Sequence, residues 1–206
     1  MTFISLGQSI LLLMVTTPAY ILLLASRLAS TSPPPPSWGL PDTIAISVML
    51  AFIAISWVAD QQQWNYQQAK AQYHKTAQVP AGFVQEDLDR GFLTKGLFAY
   101  SRHPNFASEQ GVWLTLYLWS CAVVGTGYNW SGVGAGAYVL LFQTSTWLTE
   151  LLSSDKYPEY KMYQKKVGKF LPKLGAGPVT FSDFQQGGGV PKARHSAKAR
   201  QRYNTT

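Results

Sequence analysis

Gly96-Leu97-Phe98-Ala99-Tyr100-Ser101-Arg102-His103-Pro104-Asn105-Phe106-Ala107-Ser108-Glu109 leads straight into an apolar run from Gly111 to Gly125. Pro104 suits the first turn of a helix, because it has no N–H to leave unpaired and its φ is already helical. Arg102 and His103 then sit just outside a helix start, and Asn105 and Glu109, four apart, share one face of its first turns. Ionisable groups at the mouth of a membrane helix are costly unless they bind something. Two readings stand: a ligand site, or an interfacial anchor in which Arg102 and His103 touch lipid headgroups.

Three further apolar stretches accompany this one. Phe3 to Ala25 carries no charge and is long enough to cross hydrocarbon. It has no basic n-region and is too long for a signal-peptide core, so it reads as a span, with a kink at Pro18. Pro33 to Pro36 is a stiff connector through which helix cannot persist. Thr43 to Ala59 is a second, short span closed by Asp60. The Gln-rich stretch 61–78 reads as a polar helix leaving the membrane, before a loop at Pro80-Ala81-Gly82. Glu86, Asp87 and Asp89 read as a solvated acidic loop without a metal-ligand register. Phe106 to Thr126 is the third span and Ser131 to Leu152 the fourth, joined by a short turn. In the fourth, Gly132 and Gly136 form a small-xxx-small pair suited to close helix packing. Asn129-Trp130-Ser131 matches the glycosylation pattern, but in a turn too short to stand clear of a membrane. Tyr157, Tyr160 and Tyr163 recur at helical spacing among lysines, which predicts a short interfacial helix. Residues 173–206 are Gly-rich and then basic, with little to bury, and read as a disordered basic tail. The predicted fold is all-α: over residues 1–172, a polytopic helical membrane bundle of about four transmembrane helices with a short C-terminal interfacial helix.

Composition agrees. Charged residues are 13% and aromatic residues 14% of the chain, which is low charge for a soluble domain. The lone Cys121 falls in an apolar run and reads as a buried thiol. The net charge of +7 raises nucleic acid as a partner, but its placement argues for membrane topology instead. Of the Lys and Arg residues, five lie between Asp60 and Pro104, eleven follow Leu152, and only Arg27 lies in the first connector. With four spans both rich segments fall on one side, which the positive-inside rule makes cytosolic, together with both termini. For a eukaryotic chain without a cleavable targeting signal, the endoplasmic reticulum is the expected membrane.

This topology brings Asp60, Arg102, His103, Asn105, Glu109 and Glu150 to one leaflet, and Gln143, Thr146 and Glu150 to one face of the fourth span. The expectation is a polar cavity open to the cytosol, walled by Trp57, Trp113 and Trp147. Lys95 and Arg102 would suit an anionic ligand such as a phosphate. The competing expectation is a set of mutual ion pairs that hold the bundle together.

The stretch from Gly96 to Phe106, then Glu109, resembles the Gly-Leu-(aromatic)-x-Tyr-Ser-Arg-His-Pro-Asn-Tyr-x-x-Glu signature of the steroid 5-alpha-reductase-like membrane family. Ala59-Asp60-Gln61-Gln62 resembles that family's Ala-Asp-x-Gln, and Asp155 to Tyr160 followed by Phe170-Leu171-Pro172 resembles its closing pattern. The likeness covers residues 45–172, and is nearest to an uncharacterised bacterial, fungal and plant subgroup. The resemblance implies a helical membrane reductase in which NADPH lies in a cytosol-facing cavity. A hydride then passes to a carbon–carbon double bond conjugated with a carbonyl, in a lipid-like substrate. Carried over residue by residue, Asp60, Gln62, Tyr100, Arg102, His103, Asn105, Glu109 and Tyr160 would contact or orient the cofactor. Arg and His suit phosphates, Asn an amide or hydroxyl, and carboxylates ribose hydroxyls.

Two departures qualify the likeness. Phe106 replaces the usual Tyr. Reductases of this family also carry further helices ahead of this region, which supply the acid that polarises the substrate carbonyl, whereas here one span precedes the alignable part. The expectation is therefore a reductase or its cofactor-binding half, with no catalytic acid assigned between Glu109 and Glu150. The alternatives are an S-adenosylmethionine-dependent isoprenylcysteine-type methyltransferase, whose Arg-His-Pro and last-helix Glu resemble His103 and its neighbours and Glu150, and a non-catalytic homologue.

Overall fold

The computed structural model describes residues 2–29, 38–173, 177, 179, 180, 183 and 184. Among them lie the helices α1 (Thr2–Ala29), α2 (Leu40–Thr76), α3 (Gln85–Arg90), α4 (Pro104–Val124), α5 (Gly132–Lys156) and α6 (Tyr160–Lys166), with a 3₁₀ turn at Gly96–Ala99. The described residues hold no strand, only an isolated parallel bridge between Ser101 and Gly168. The all-helical expectation holds.

Among the described residues, two helices are long and apolar enough to cross a membrane: α1 over Ser5–Leu28, and α2. Their most apolar windows are only 17% and 11% buried. The core helix of a soluble protein buries most of such a surface. Here Leu13 is 69% and Leu50 60% exposed, and a patch of that extent fits lipid rather than water. The chain is accordingly read as membrane-associated. The polar segment expected after Asp60 is the unbroken continuation of the second apolar run, because α2 is one helix of 37 residues, about 55 Å long. Helix α1 runs through Pro18 without ending. The connector Pro33–Pro36 lies outside the described residues, as does most of 173–206. Within that expected tail, Val179 and Phe184 are described, and both are buried.

The chain divides into two compact units, one of residues 1–57 with 105–149, the other of 58–104 with 150–206. In the first, helices approach closely at glycines. A Cβ on Gly134 of α5 would lie 2.0 Å from the Met14 carbonyl oxygen of α1, and one on Gly111 of α4 would lie 2.7 Å from the Phe52 ring of α2. The pair expected to serve this purpose was Gly132 and Gly136. Gly132 does serve it, since a Cβ there would lie 2.8 Å from the Tyr117 ring of α4, whereas Gly136 meets open space within 4 Å. Gly134 is two residues from each and so about 200° around the helix; that face carries the contact with α1. Asn129 closes the turn before α5. Its Nδ2 donates to Ser120 Oγ at 3.0 Å and to Cys121 Sγ at 3.3 Å, and its Oδ1 accepts from Ser131 N at 3.0 Å.

The second unit has two small cores. One gathers Tyr66, Ala69 and Leu88; the other gathers Ala99, Tyr160, Tyr163, Val167, Val179 and Phe184. The stretch expected as a solvated acidic loop is α3, and both Asp87 and Arg90 are buried there. Arg90 pairs with Asp87 and with Glu159, each at 2.9 Å, and Lys95 Nζ reaches the other Asp87 oxygen at 2.5 Å. A carboxylate can leave water when cations replace its hydration in this way.

Candidate functional site

In the second unit the 96–103 stretch is built by two clamps. The first is at its start. Gly96 has φ +63°, and the Leu97 N–H donates to Gln62 Oε1 at 3.0 Å. A Cβ on Gly96 would lie 2.4 Å from that same oxygen. Gly96→Ala should therefore lower stability by about 2–3 kcal/mol, combining a left-handed backbone with an expelled Gln62 side chain. Gly82→Ala is the control, since Gly82 has φ +84° and nothing within 4 Å. Thermal unfolding of the purified chain in detergent should rank Gly96→Ala well below Gly82→Ala.

The second clamp pairs residues 101–103 with 168–170. Arg102 N donates to Gly168 O at 2.9 Å, His103 N to Lys169 O at 3.0 Å, and Ser101 Oγ to Phe170 O at 2.8 Å. The Arg102 side chain completes it. Its Nε and Nη2 meet the two oxygens of Glu150 at 2.6 and 3.0 Å, and its Nη1 donates to the carbonyls of Gln164 and Val167. His103 Nε2 lies 3.0 Å from Glu150 Oε1, and Gln164 Nε2 donates to Glu150 Oε2 at 3.2 Å. The side chains of Arg102, Glu150 and His103 are 8%, 9% and 12% exposed. This is a buried, bidentate, charge-assisted pair. In this unit the mutual-ion-pair expectation is met at Arg102, and its guanidinium is turned to the protein rather than to an open phosphate site. Of the two bases expected near an anion, Lys95 instead borders a cavity of about 390 Å³, with Asp87, Arg90, Thr94, Val179 and Phe184.

The other expected residues of this unit are placed differently. Asp60 and Tyr100 are exposed, Gln62 is half-buried in the first clamp, and Tyr160 is buried. Burial, with the Glu150 charge adding to it, pushes the Tyr160 hydroxyl up to about 12. Burial also acts against ionisation of Tyr157, but Lys70, hydrogen-bonded to its hydroxyl at 3.2 Å, together with Lys156 holds it below the ordinary phenol value. Lys70 escaped the sequence reading because its partner lies 87 residues on.

In the first unit Asn105 and Glu109 lie on the opening turns of α4, both half-buried. Glu109 Oε1 accepts from Trp113 Nε1 and from the Tyr138 hydroxyl, each at 3.0 Å. Tyr138 was not foreseen. Its signal is weak, an aromatic among aromatics in an apolar run. Tyr138 packs on Phe142 at 4.9 Å between ring centroids, and Phe142 on Phe106 at 5.0 Å. The loss of the Phe106 hydroxyl thus gives an edge-on ring contact instead. The expected walls Trp57 and Trp147 are 68% and 61% exposed. They face outward, so of the three tryptophans only Trp113 turns to an acid.

The donor set bears on a nicotinamide cofactor. Arg102 is committed to Glu150 and to two backbone carbonyls, and Lys95 is paired with Asp87. In the second unit Tyr100 and Asp60 are exposed, and in the first Glu109 is half-buried; a phenol and carboxylates are the groups that suit hydroxyls and amides.

The family described as "Protein of unknown function (DUF1295)" matches residues 1–167, which takes in α1 as well as the motif region. An uncharacterised protein of Schizosaccharomyces pombe (strain 972) is 41% identical over 140 residues, covering 67% of this chain and 41% of that protein. The matched part thus spans about two fifths of that relative's length. No solved structure matches the chain.

Proposed function

This chain belongs to the DUF1295 family, a steroid 5-alpha-reductase-like family. From that membership we propose a membrane-embedded, NADPH-dependent reductase of a conjugated carbon–carbon double bond in a lipid-like substrate, or the cofactor-binding part of one. The observation that carries this reading is the Tyr100-to-Glu109 motif, ordered by two clamps at its start and ending on a carboxylate with an accessible oxygen. The reading extends to α4 and α5 as third and fourth spans, with both termini cytosolic in the endoplasmic reticulum.

NADPH, when bound, supplies the hydride; the protein supplies position. In the second unit Asp60 and Tyr100 offer an acceptor and a hydroxyl, and a phosphate would compete with Asp87 for Lys95. Gln62, Arg102 and His103 orient rather than touch, by fixing the backbone of 96–103, and Tyr160 underlies them in the core. In the first unit Asn105 and Glu109 are the contacts. Glu150 is saturated by Arg102, His103 and Gln164, which argues against its use as a proton donor.

The test is cofactor binding by the purified, detergent-solubilised chain, with NADPH and S-adenosylmethionine titrated separately against tryptophan fluorescence. Saturable NADPH binding that disappears in an Asn105→Ala, Glu109→Ala double variant is the expected result. Binding of S-adenosylmethionine alone would replace this reading with the methyltransferase one.

A further inference from the structure

We infer that Glu109 is a cation-selective element of the cofactor site: its carboxylate, at the end of a row of aromatic rings in the first unit, favours the positively charged oxidised nicotinamide over the neutral reduced one. This rests on the reductase reading above.

The contrast among carboxylates carries the inference. Asp87 and Glu150, the buried ones, are both met by cations, Asp87 by Arg90 and Lys95 and Glu150 by Arg102 and His103. Glu109 is not. Among the described residues no Lys, Arg or His comes within ion-pair distance of it. Its two partners, Trp113 and Tyr138, are neutral donors, and both use Oε1. Among the described residues Oε2 makes no hydrogen bond, and it is not sealed from its surroundings. A carboxylate without a countercharge, on a helix read as a membrane span, is expected to meet its positive charge in a ligand.

The neighbours define what kind of cation. Trp113, Tyr138, Phe142 and Phe106 follow one another at centroid spacings of 6.1, 4.9 and 5.0 Å. Aromatic faces attract flat or soft organic cations, and a fixed negative charge adds to that attraction. Hydride departure converts the neutral dihydronicotinamide ring into a cationic one. The substrate's β-carbon gains the hydride, its α-carbon takes a proton from water, and Glu109 neither gains nor loses a proton. A group that holds the cationic form more strongly than the neutral form lowers the barrier to that transfer.

The experiment compares dissociation constants for NADP⁺ and NADPH by calorimetry on the full chain in detergent. Glu109→Gln keeps an oxygen acceptor for Trp113 and Tyr138 while removing the charge. It should weaken NADP⁺ by about tenfold or more and leave NADPH nearly unchanged. Tyr138→Phe, which keeps the charge, should preserve the wild-type ratio of the two constants. Equal weakening of both forms by Glu109→Gln, or no change in either, overturns the cation-selective role while leaving the reductase reading in place. S-adenosylmethionine and its neutral demethylated product form a parallel arm. Preference for the sulfonium that is lost in Glu109→Gln, without nicotinamide binding, would keep the cation site and overturn the reductase reading. Binding of none of the four overturns both.

Discussion

Arg102→Ala is expected to destabilise the chain by about 3–5 kcal/mol, the usual cost of breaking a buried ion pair by removing one partner. The substitution leaves Glu150, 9% exposed, facing His103 and Gln164 without the guanidinium that held both its oxygens. It also removes one donor from the Gln164 carbonyl, which keeps Lys173, and the guanidinium donor from the Val167 carbonyl. Arg102→Lys keeps the charge but cannot reach two carboxylate oxygens and two carbonyls from one nitrogen, so it should fall between. Chemical unfolding in detergent, followed by circular dichroism, reads these values. A change for Arg102→Ala within about 0.5 kcal/mol, the range of an ordinary surface substitution, would contradict the buried pair. The effect also governs how cofactor data are read. Weaker NADPH binding in Arg102→Ala follows from loss of the clamp alone, and should extend equally to NADH. A selective loss of NADPH in the milder Arg102→Lys variant would instead return Arg102 to the 2′-phosphate.

Gly134→Leu should be the most damaging change in the first unit. Even a methyl group there would overlap the Met14 backbone, and backbone cannot step aside as a side chain can. The variant must part α1 from α5 or expel the new side chain, which costs about 1–3 kcal/mol for ordinary overpacking and more where the obstacle is main chain. Gly136→Leu, with open space at the same helix two residues on, should be nearly neutral. Melting temperatures of the two variants in one detergent separate them. Equal behaviour would mean that α1 does not seat on Gly134.

What was legible in the sequence was local. The long apolar runs gave α1, α4 and α5 to within a few residues, because Pro104, Gly125 and the turn at Asn129 mark where helix starts and stops; the run 43–59 gave the start of α2 but not its continuation to Thr76. The 96–109 motif was legible for the same reason, since its residues are contiguous. What depended on distant partners was not. Asp87 and Arg90 looked like part of a solvated loop because Glu159, the second carboxylate on Arg90, lies 69 residues away. Arg102 looked like a phosphate ligand because nothing local shows Glu150, 48 residues on, closing around it. The close approach at Gly134 rather than Gly136, and the outward turn of Trp57 and Trp147, were decided by helix rotation. Apolar runs exposed on nearly every side carry little signal of that rotation.

Label transfer tests the reductase account most directly. The detergent-solubilised chain is incubated with conjugated enone lipids, NADPH deuterated at the transferable C4 position and methyl-labelled S-adenosylmethionine, and the lipids are then read by mass spectrometry. The account predicts one deuterium on the β-carbon of a reduced lipid and no labelled methyl group. A labelled methyl group in the lipid, with the deuterium retained on the nucleotide, would contradict it.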